Sequence, residues 1–133
     1  MRARLGARGE DGPPAGSTSA KGGRGEDLAA RYLKGRGFRI LDRNWRGVTG
    51  EIDLVARDRG ELVFVEVKSA HGDEIDPLEQ MTRAKRRRLV RAAEDYLRRM
   101  RRPLPARFDV VLVDFRVDPP RVEHLRDAFG DEG

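Results

Sequence analysis

The chain has 133 residues, 38% hydrophobic and 38% charged, with a formal net charge of +5, which fits one domain with a modest core under a highly charged surface. It has no cysteine, so disulfide frameworks, thiolate zinc sites and cysteine nucleophiles are excluded; with only His71 and His124 as histidines, a multi-histidine metal centre is not expected, and any metal must be held mainly by oxygen, as Mg²⁺, Mn²⁺ and Ca²⁺ are. The positive excess suits a polyanionic partner as well as solubility, and with no apolar run near the roughly 20 residues that span a bilayer and no signal-peptide core, the expected location is the cytoplasm, without a membrane partner.

Residues 1–22 are rich in Gly, Ala, Ser, Pro and charge, with Met1 and Leu5 as the only large apolar side chains. Such a segment buries too little surface to offset its ordering entropy, and a disordered N-terminal tail is expected there, ahead of a folded domain over 23–130. From Arg24 to Lys34, Leu28, Ala29, Tyr32 and Leu33 recur at helical spacing, and Gly35 and Gly37 stop the helix. Phe38, Ile40 and Leu41 predict a short strand, and Asn44 to Gly50 a connection with Trp45 packed beneath it. Glycines 22, 23 and 25 do not follow a strand, so they make no nucleotide-binding loop.

The segment GEIDLVARDRGELVFVEVKS predicts a hairpin: a strand over Glu51–Arg57, a turn at Asp58-Arg59-Gly60 and a strand over Glu61–Ser69. A polar loop over Ala70–Pro77 leads to the longest helix, Leu78 to Arg101, with Leu89, Ala92, Ala93, Tyr96, Leu97 and Met100 as its buried stripe. Pro103 and Pro105 end it, FDVVLV carries a buried strand over Arg107–Phe115, and Arg121–Leu125 predicts a final edge strand. The order of elements points to an α/β fold, a three-layer sandwich with a central mixed β-sheet flanked by helices.

Side chains alternate along a strand, so Glu66 and Lys68 share a face. By itself this Glu-x-Lys reads as a salt bridge on a solvated sheet face. A tight hairpin, however, brings Asp53 of the preceding strand close to the Glu66 end, with Glu51 and Val55 expected on the face of Asp53. Two carboxylates and a lysine then converge, as phosphodiester hydrolysis requires: the carboxylates hold a hard cation that acidifies water and neutralises developing charge, and the lysine orients the water or steadies the oxyanion.

These residues resemble the PD-(D/E)XK nuclease superfamily, with Asp53 and Glu66 separated by twelve residues and Lys68 two further on. More narrowly, GRGEDLAARYLKGRGFRILDRNWR, GEIDLVARD, LVFVEVKS, QMTRAKRRRLVRAAEDYL, RFDVVLV and VEHLRDAF resemble the YraN family (uncharacterised protein family 0102), whose members share a Holliday-junction-resolvase-like fold. The resemblance covers nearly everything after Gly22 and implies a restriction-endonuclease-like sandwich. It implies that Asp53 and Glu66 bind Mg²⁺ or Mn²⁺, that Lys68 is the active-site lysine, and that Glu26, on the first helix, approaches the metal or its waters. For Glu26 the local alternative is an acid favoured by the dipole at a helix start, and Glu51 reads equally as support for the hairpin. The proline of the superfamily's namesake pattern is replaced by Ile52.

The second functional feature is the basic helix. Arg83, Lys85, Arg86, Arg87, Arg88 and Arg91, followed by Arg98, Arg99, Arg101 and Arg102, surround its buried stripe, interrupted by Glu94 and Asp95. Such residues bind phosphates without regard to sequence, and Gln80 and Lys85 are placed to reach the edge of the site. Trp45, Tyr32 and Tyr96 read as core, and His71 and His124 as incidental. Asp109 on its buried strand is expected to pair with an arginine outside catalysis. The function expected is a metal-dependent endonuclease acting on DNA, branched or single-stranded structures included, for which a homodimer would place two sites on two strands. The alternative is a catalytically weak nucleic-acid-binding accessory protein in DNA repair or uptake.

Overall fold

The computed structural model describes residues 20–72 and 81–130. Helix α1 (Ala20–Gly35) is followed by strands β1 (Arg39–Arg46), β2 (Glu51–Asp58) and β3 (Glu61–Ala70), helix α2 (Arg83–Arg98), and strands β4 (Ala106–Asp114) and β5 (Arg121–Phe129). The five strands form one sheet in the order β1-β2-β3-β4-β5. Every neighbouring pair is antiparallel except β3 and β4, which run parallel and are joined through α2. The sheet is therefore mixed, as the sequence predicts, because a parallel pair needs a crossover long enough to hold a helix.

The helices cover opposite faces. On one, Ala29 and Leu33 of α1 pack with Leu54, Ala56, Val63, Val65, Val111 and Val113. On the other, Leu89, Ala92, Ala93 and Tyr96 of α2 pack with Ile52, Val55, Leu62, Phe64 and Phe108. Burial on both sides explains why β3 and β4 read as near-continuous apolar runs. Trp45 and Tyr96 meet edge to face at 5.0 Å in the α2 layer, and both are core, as expected.

Several boundaries differ from the sequence reading. Helix α1 starts at Ala20, inside the segment read as a tail; residues 1–19 lie outside the described residues. β1 does not end near Leu41: pairing of Trp45 with Ile52 and of Arg46 with Glu51 carries it to Arg46, so the connection shrinks to residues 47–50. Helix α2 begins after Thr82, whose hydroxyl accepts the Lys85 amide at 3.2 Å, and stops at Arg98 with Arg99 as its C-cap. The predicted first turn at Leu78, and Gln80, fall outside the described residues. β5 extends beyond Leu125 to Phe129 and is an edge strand, as predicted.

Candidate functional site

The sheet splits where the chemistry was expected. β2 and β3 pair from Asp58 and Glu61 as far as Leu54 and Val65, and the ladder stops there. Beyond it β2 stays with β1 and leaves β3. The Val67 amide, which would otherwise lack a strand partner on that side, donates to Asp53 Oδ2 at 2.8 Å. Alternation slips at the same level. Ile52 and Val55 pack into the α2 layer while Leu54 packs into the α1 layer, and Asn44, between the partners of Leu54 and Ile52, holds a left-handed φ of 52°. The simple alternation expected for Glu51, Asp53 and Val55 therefore does not extend through the whole strand.

The split opens a cavity of about 360 Å³ between the end of the β1–β2 hairpin, β3 and the first turns of α2. It is lined by Thr49, Gly50, Glu51, Asp53, Glu66, Lys68, Met81, Lys85, Arg88 and Leu89. Asp53, Glu66 and Lys68 thus face one space, and Lys68 Nζ lies 3.1 Å from Glu66 Oε2. Burial, and then the nearby Glu66 carboxylate, pushes the Asp53 carboxyl well above the usual range; the Val67 amide opposes this, and Glu26 and Glu51 add to it. Carboxylates crowded in this way are relieved by a cation or a proton. Among the described residues no group of three His, Asp or Glu side chains forms a ready metal cage. The donor set still fits Mg²⁺, which binds through one or two carboxylates and fills its shell from water and substrate phosphates.

Glu26 sits elsewhere. It is 8% exposed on α1 and does not line the cavity, so it touches the site only through its field on Asp53. Its Oε1 is buried without a hydrogen-bond partner, as are Arg43 Nε and Asn44 Nδ2, and Arg43 Nη2 stands 4.0 Å away. Burial raises the Glu26 carboxyl, with Asn44 and Arg43 pulling the other way.

The basic helix divides. Lys85 and Arg88 line the cavity, while Arg83, Arg87 and Arg91 are exposed and do not line it. Arg86 is half-buried, its Nη1 donating to the Met81 carbonyl at 3.2 Å. His71 is stacked on Phe115, ring centroids 4.9 Å apart, and does not line the cavity.

At the other end of the sheet a larger cavity of about 600 Å³ is lined by Asp58, Glu61, His124 and Arg126 among others. Its carboxylates are spent: Arg107 donates to Glu61 at 2.6 Å, to Asp58 at 3.1 Å and to Asp109 at 3.0 Å. Asp109 is fully buried and also meets His124 Nε2 at 2.7 Å and the Asp127 amide at 2.9 Å. The expected arginine partner of Asp109 is Arg107. His124, read as incidental, is its second partner, a link that sequence spacing does not reveal. This network closes on itself, whereas the carboxylates of the smaller cavity repel one another, so the smaller cavity is the candidate site.

The model of uncharacterised protein family UPF0102 matches residues 25–113. The chain is 48% identical over 113 residues to a UPF0102 protein of Rhodococcus opacus (strain B4), covering 83% of this chain and 96% of the relative. It is 47% identical over 119 residues to one of Ralstonia pickettii (strain 12J), covering 85% and 92%. It is 50% identical over 116 residues to one of Anaeromyxobacter dehalogenans (strain 2CP-C), covering 86% and 87%. Among the described residues no helix is long and apolar enough to cross a membrane.

Proposed function

The chain belongs to uncharacterised protein family UPF0102, and from that premise and the geometry of its cavity we propose that it is a metal-dependent endonuclease of the PD-(D/E)XK type acting on DNA. The observation that carries this reading is the placement of Asp53, Glu66 and Lys68 around one cavity, with Lys85 and Arg88 on its wall. A Mg²⁺ or Mn²⁺ ion bound there would supply the acidified water and the positive charge that phosphodiester hydrolysis needs. The residues of the chain do the rest. The Val67 amide fixes Asp53, and Lys68 fixes Glu66 and stands ready to orient the attacking water or to bear charge on the phosphate. Lys85, Arg88 and the positive end of the α2 dipole draw the phosphate backbone to the opening. A homodimer would set two such cavities against two strands.

The test is cleavage of labelled single-stranded, duplex, flap and four-way-junction DNA with Mg²⁺ or Mn²⁺, by the natural chain and by Asp53→Ala and Lys68→Ala. Cleavage by the natural chain and loss in both variants supports the nuclease. A second reading, a nucleic-acid-binding accessory protein without efficient cleavage, draws on one observation, the engagement of Lys68 by Glu66 at 3.1 Å. DNA binding with no cleavage of any substrate would select it.

A further inference from the structure

Two large apolar side chains stand out as exposed among the described residues: Val48, at 85%, and Val117, at 42%. A lone exposed valine is ordinary on a protein surface. The setting of Val48 is not. Gly47 donates to the Gly50 carbonyl at 2.8 Å, closing a four-residue turn between Arg46 and Glu51. The Val48 amide donates to Asp95 Oδ2 at 2.9 Å, across from α2. Gly47 lies so close to α2 and the core that an added Cβ would fall 2.4 Å from Asp95 Oδ2 and 2.8 Å from Trp45 Cζ3, which leaves no room for a larger residue. A buried carboxylate and a close-packed glycine thus hold a bare valine outward on an anchored turn.

The turn also borders the candidate site: Thr49 and Gly50, next along it, line the cavity with Asp53, Glu66 and Lys68. Lys85 and Arg88 line the same cavity. Arg46, at the start of the turn, pairs with Glu51 at 3.2 Å, and Arg98 and Arg99 pair with Asp95 at 3.8 Å and 3.5 Å, so these three arginines outnumber the two carboxylates they meet.

We propose that Val48 is a wedge that packs against a nucleobase where stacking is already interrupted, while Lys85 and Arg88 on the adjoining cavity wall hold the flanking phosphates. Apolar side chains inserted at a base step must replace its stacking. In continuous duplex that cost is met in full, whereas at an unpaired base, a flap or a branch point it has already been met. A β-branched side chain, stiff about χ1, on an anchored turn loses little freedom on contact. The inference rests on the reading of the cavity as a nucleic-acid site and narrows its substrate to DNA with a break in its stacking.

The experiment places 2-aminopurine at the branch point of a four-way junction, beside the break of a flap, and in continuous duplex, and titrates each with the full chain in Mg²⁺ and in EDTA. Val48→Ser removes the apolar head and Val48→Leu keeps it. The natural chain is expected to bind the broken structures about tenfold more tightly than duplex and to change 2-aminopurine fluorescence only there; Val48→Ser is expected to lose most of that preference with duplex affinity unchanged, and Val48→Leu to retain it. Preference that survives Val48→Ser with the fluorescence change intact overturns the wedge and leaves the nucleic-acid site standing. Failure of the natural chain to bind any DNA overturns both. Sedimentation of the same proteins provides a further outcome: a dimer abolished by Val48→Ser would assign the valine to self-association and also overturn the wedge.

Discussion

The carboxylate of Asp53 takes the hydrogen bond that a neighbouring strand would have taken, accepting the Val67 amide at 2.8 Å at the point where β2 leaves β3. A side chain substitutes for backbone, and the gap left by the missing ladder is the candidate site. The exchange has a cost, because it holds a half-buried carboxylate beside Glu66, with Glu26 and Glu51 acting on it from further off.

That cost sets a pH dependence. Burial and Glu66 raise Asp53 above its ordinary range, so the folded chain binds this proton more tightly than the unfolded chain does. Ionisation of Asp53 therefore opposes folding at neutral pH, and this penalty is relieved as pH falls through the raised folded value. Millimolar Mg²⁺ is expected to raise Tm of the natural chain, and Asp53→Asn is expected to raise Tm at pH 7 by a few degrees and to abolish that further rise. Mg²⁺ stabilisation of the natural chain should weaken with falling pH before ordinary carboxylates titrate. Thermal unfolding from pH 5 to 8, with Mg²⁺ and with EDTA, checks all three. A fall in Tm for Asp53→Asn would show that Asp53 is not under charge strain.

Lys68 carries a separable expectation. It lies on β3 beside Glu66, both half-buried. Lys68→Ala is expected to reduce cleavage by about 10²–10³-fold, the loss typical of one positioned charge-stabilising group, and to change DNA affinity by less than about threefold, since a single phosphate contact is a small part of the total. Single-turnover cleavage set beside equilibrium binding measures the two. A loss confined to binding would make Lys68 a phosphate contact only.

The arginines of α2 should not be equivalent. Arg91, exposed and outside the cavity lining, should on substitution by Ala weaken binding of all DNA alike and lower the salt-dependence slope by about one unit. Lys85→Ala and Arg88→Ala should do the same and also slow cleavage, because both line the cavity. Binding titrations between 50 and 200 mM salt, a range over which such contacts cost steeply, with cleavage at saturation, separate the two groups.

At the far end of the sheet the outcome concerns stability. Burial by itself would raise the Asp109 carboxyl, but His124, Arg107 and the Asp127 amide together hold it below the usual range. A lowered folded value stabilises above the unfolded one and is lost as pH falls through the folded one, so this network stabilises the fold at neutral pH and acid withdraws that contribution. Asp109→Ala is expected to cost about 3–5 kcal/mol, the penalty for leaving buried charge without its partner. Urea unfolding at pH 7 measures it; a loss below about 1 kcal/mol would mean that Asp58 and Glu61 suffice for Arg107.

The hairpin, the buried strand FDVVLV and the stripe Leu89, Ala92, Ala93, Tyr96 could be read directly from the residues, because hydrophobic period and turn chemistry are local properties. So could the shared face of Glu66 and Lys68, which follows from alternation within one strand. The sequence could also nominate Asp53, because a short turn constrains where the preceding strand must lie. Local pattern could not show that β2 parts from β3 at Asp53, that Asn44 and Asp53 disturb their strands at one level, or that Glu26 approaches Asp53 without entering the cavity. Nor could it join Arg107 and Asp109 to Asp58, Glu61 and His124, or Asp95 to Val48. Those relationships connect residues far apart in the chain, and they arise only when the helices close on the two faces of the sheet and each buried charge must find a partner. Residue order supplied the chemical groups, and long-range packing decided which of them meet.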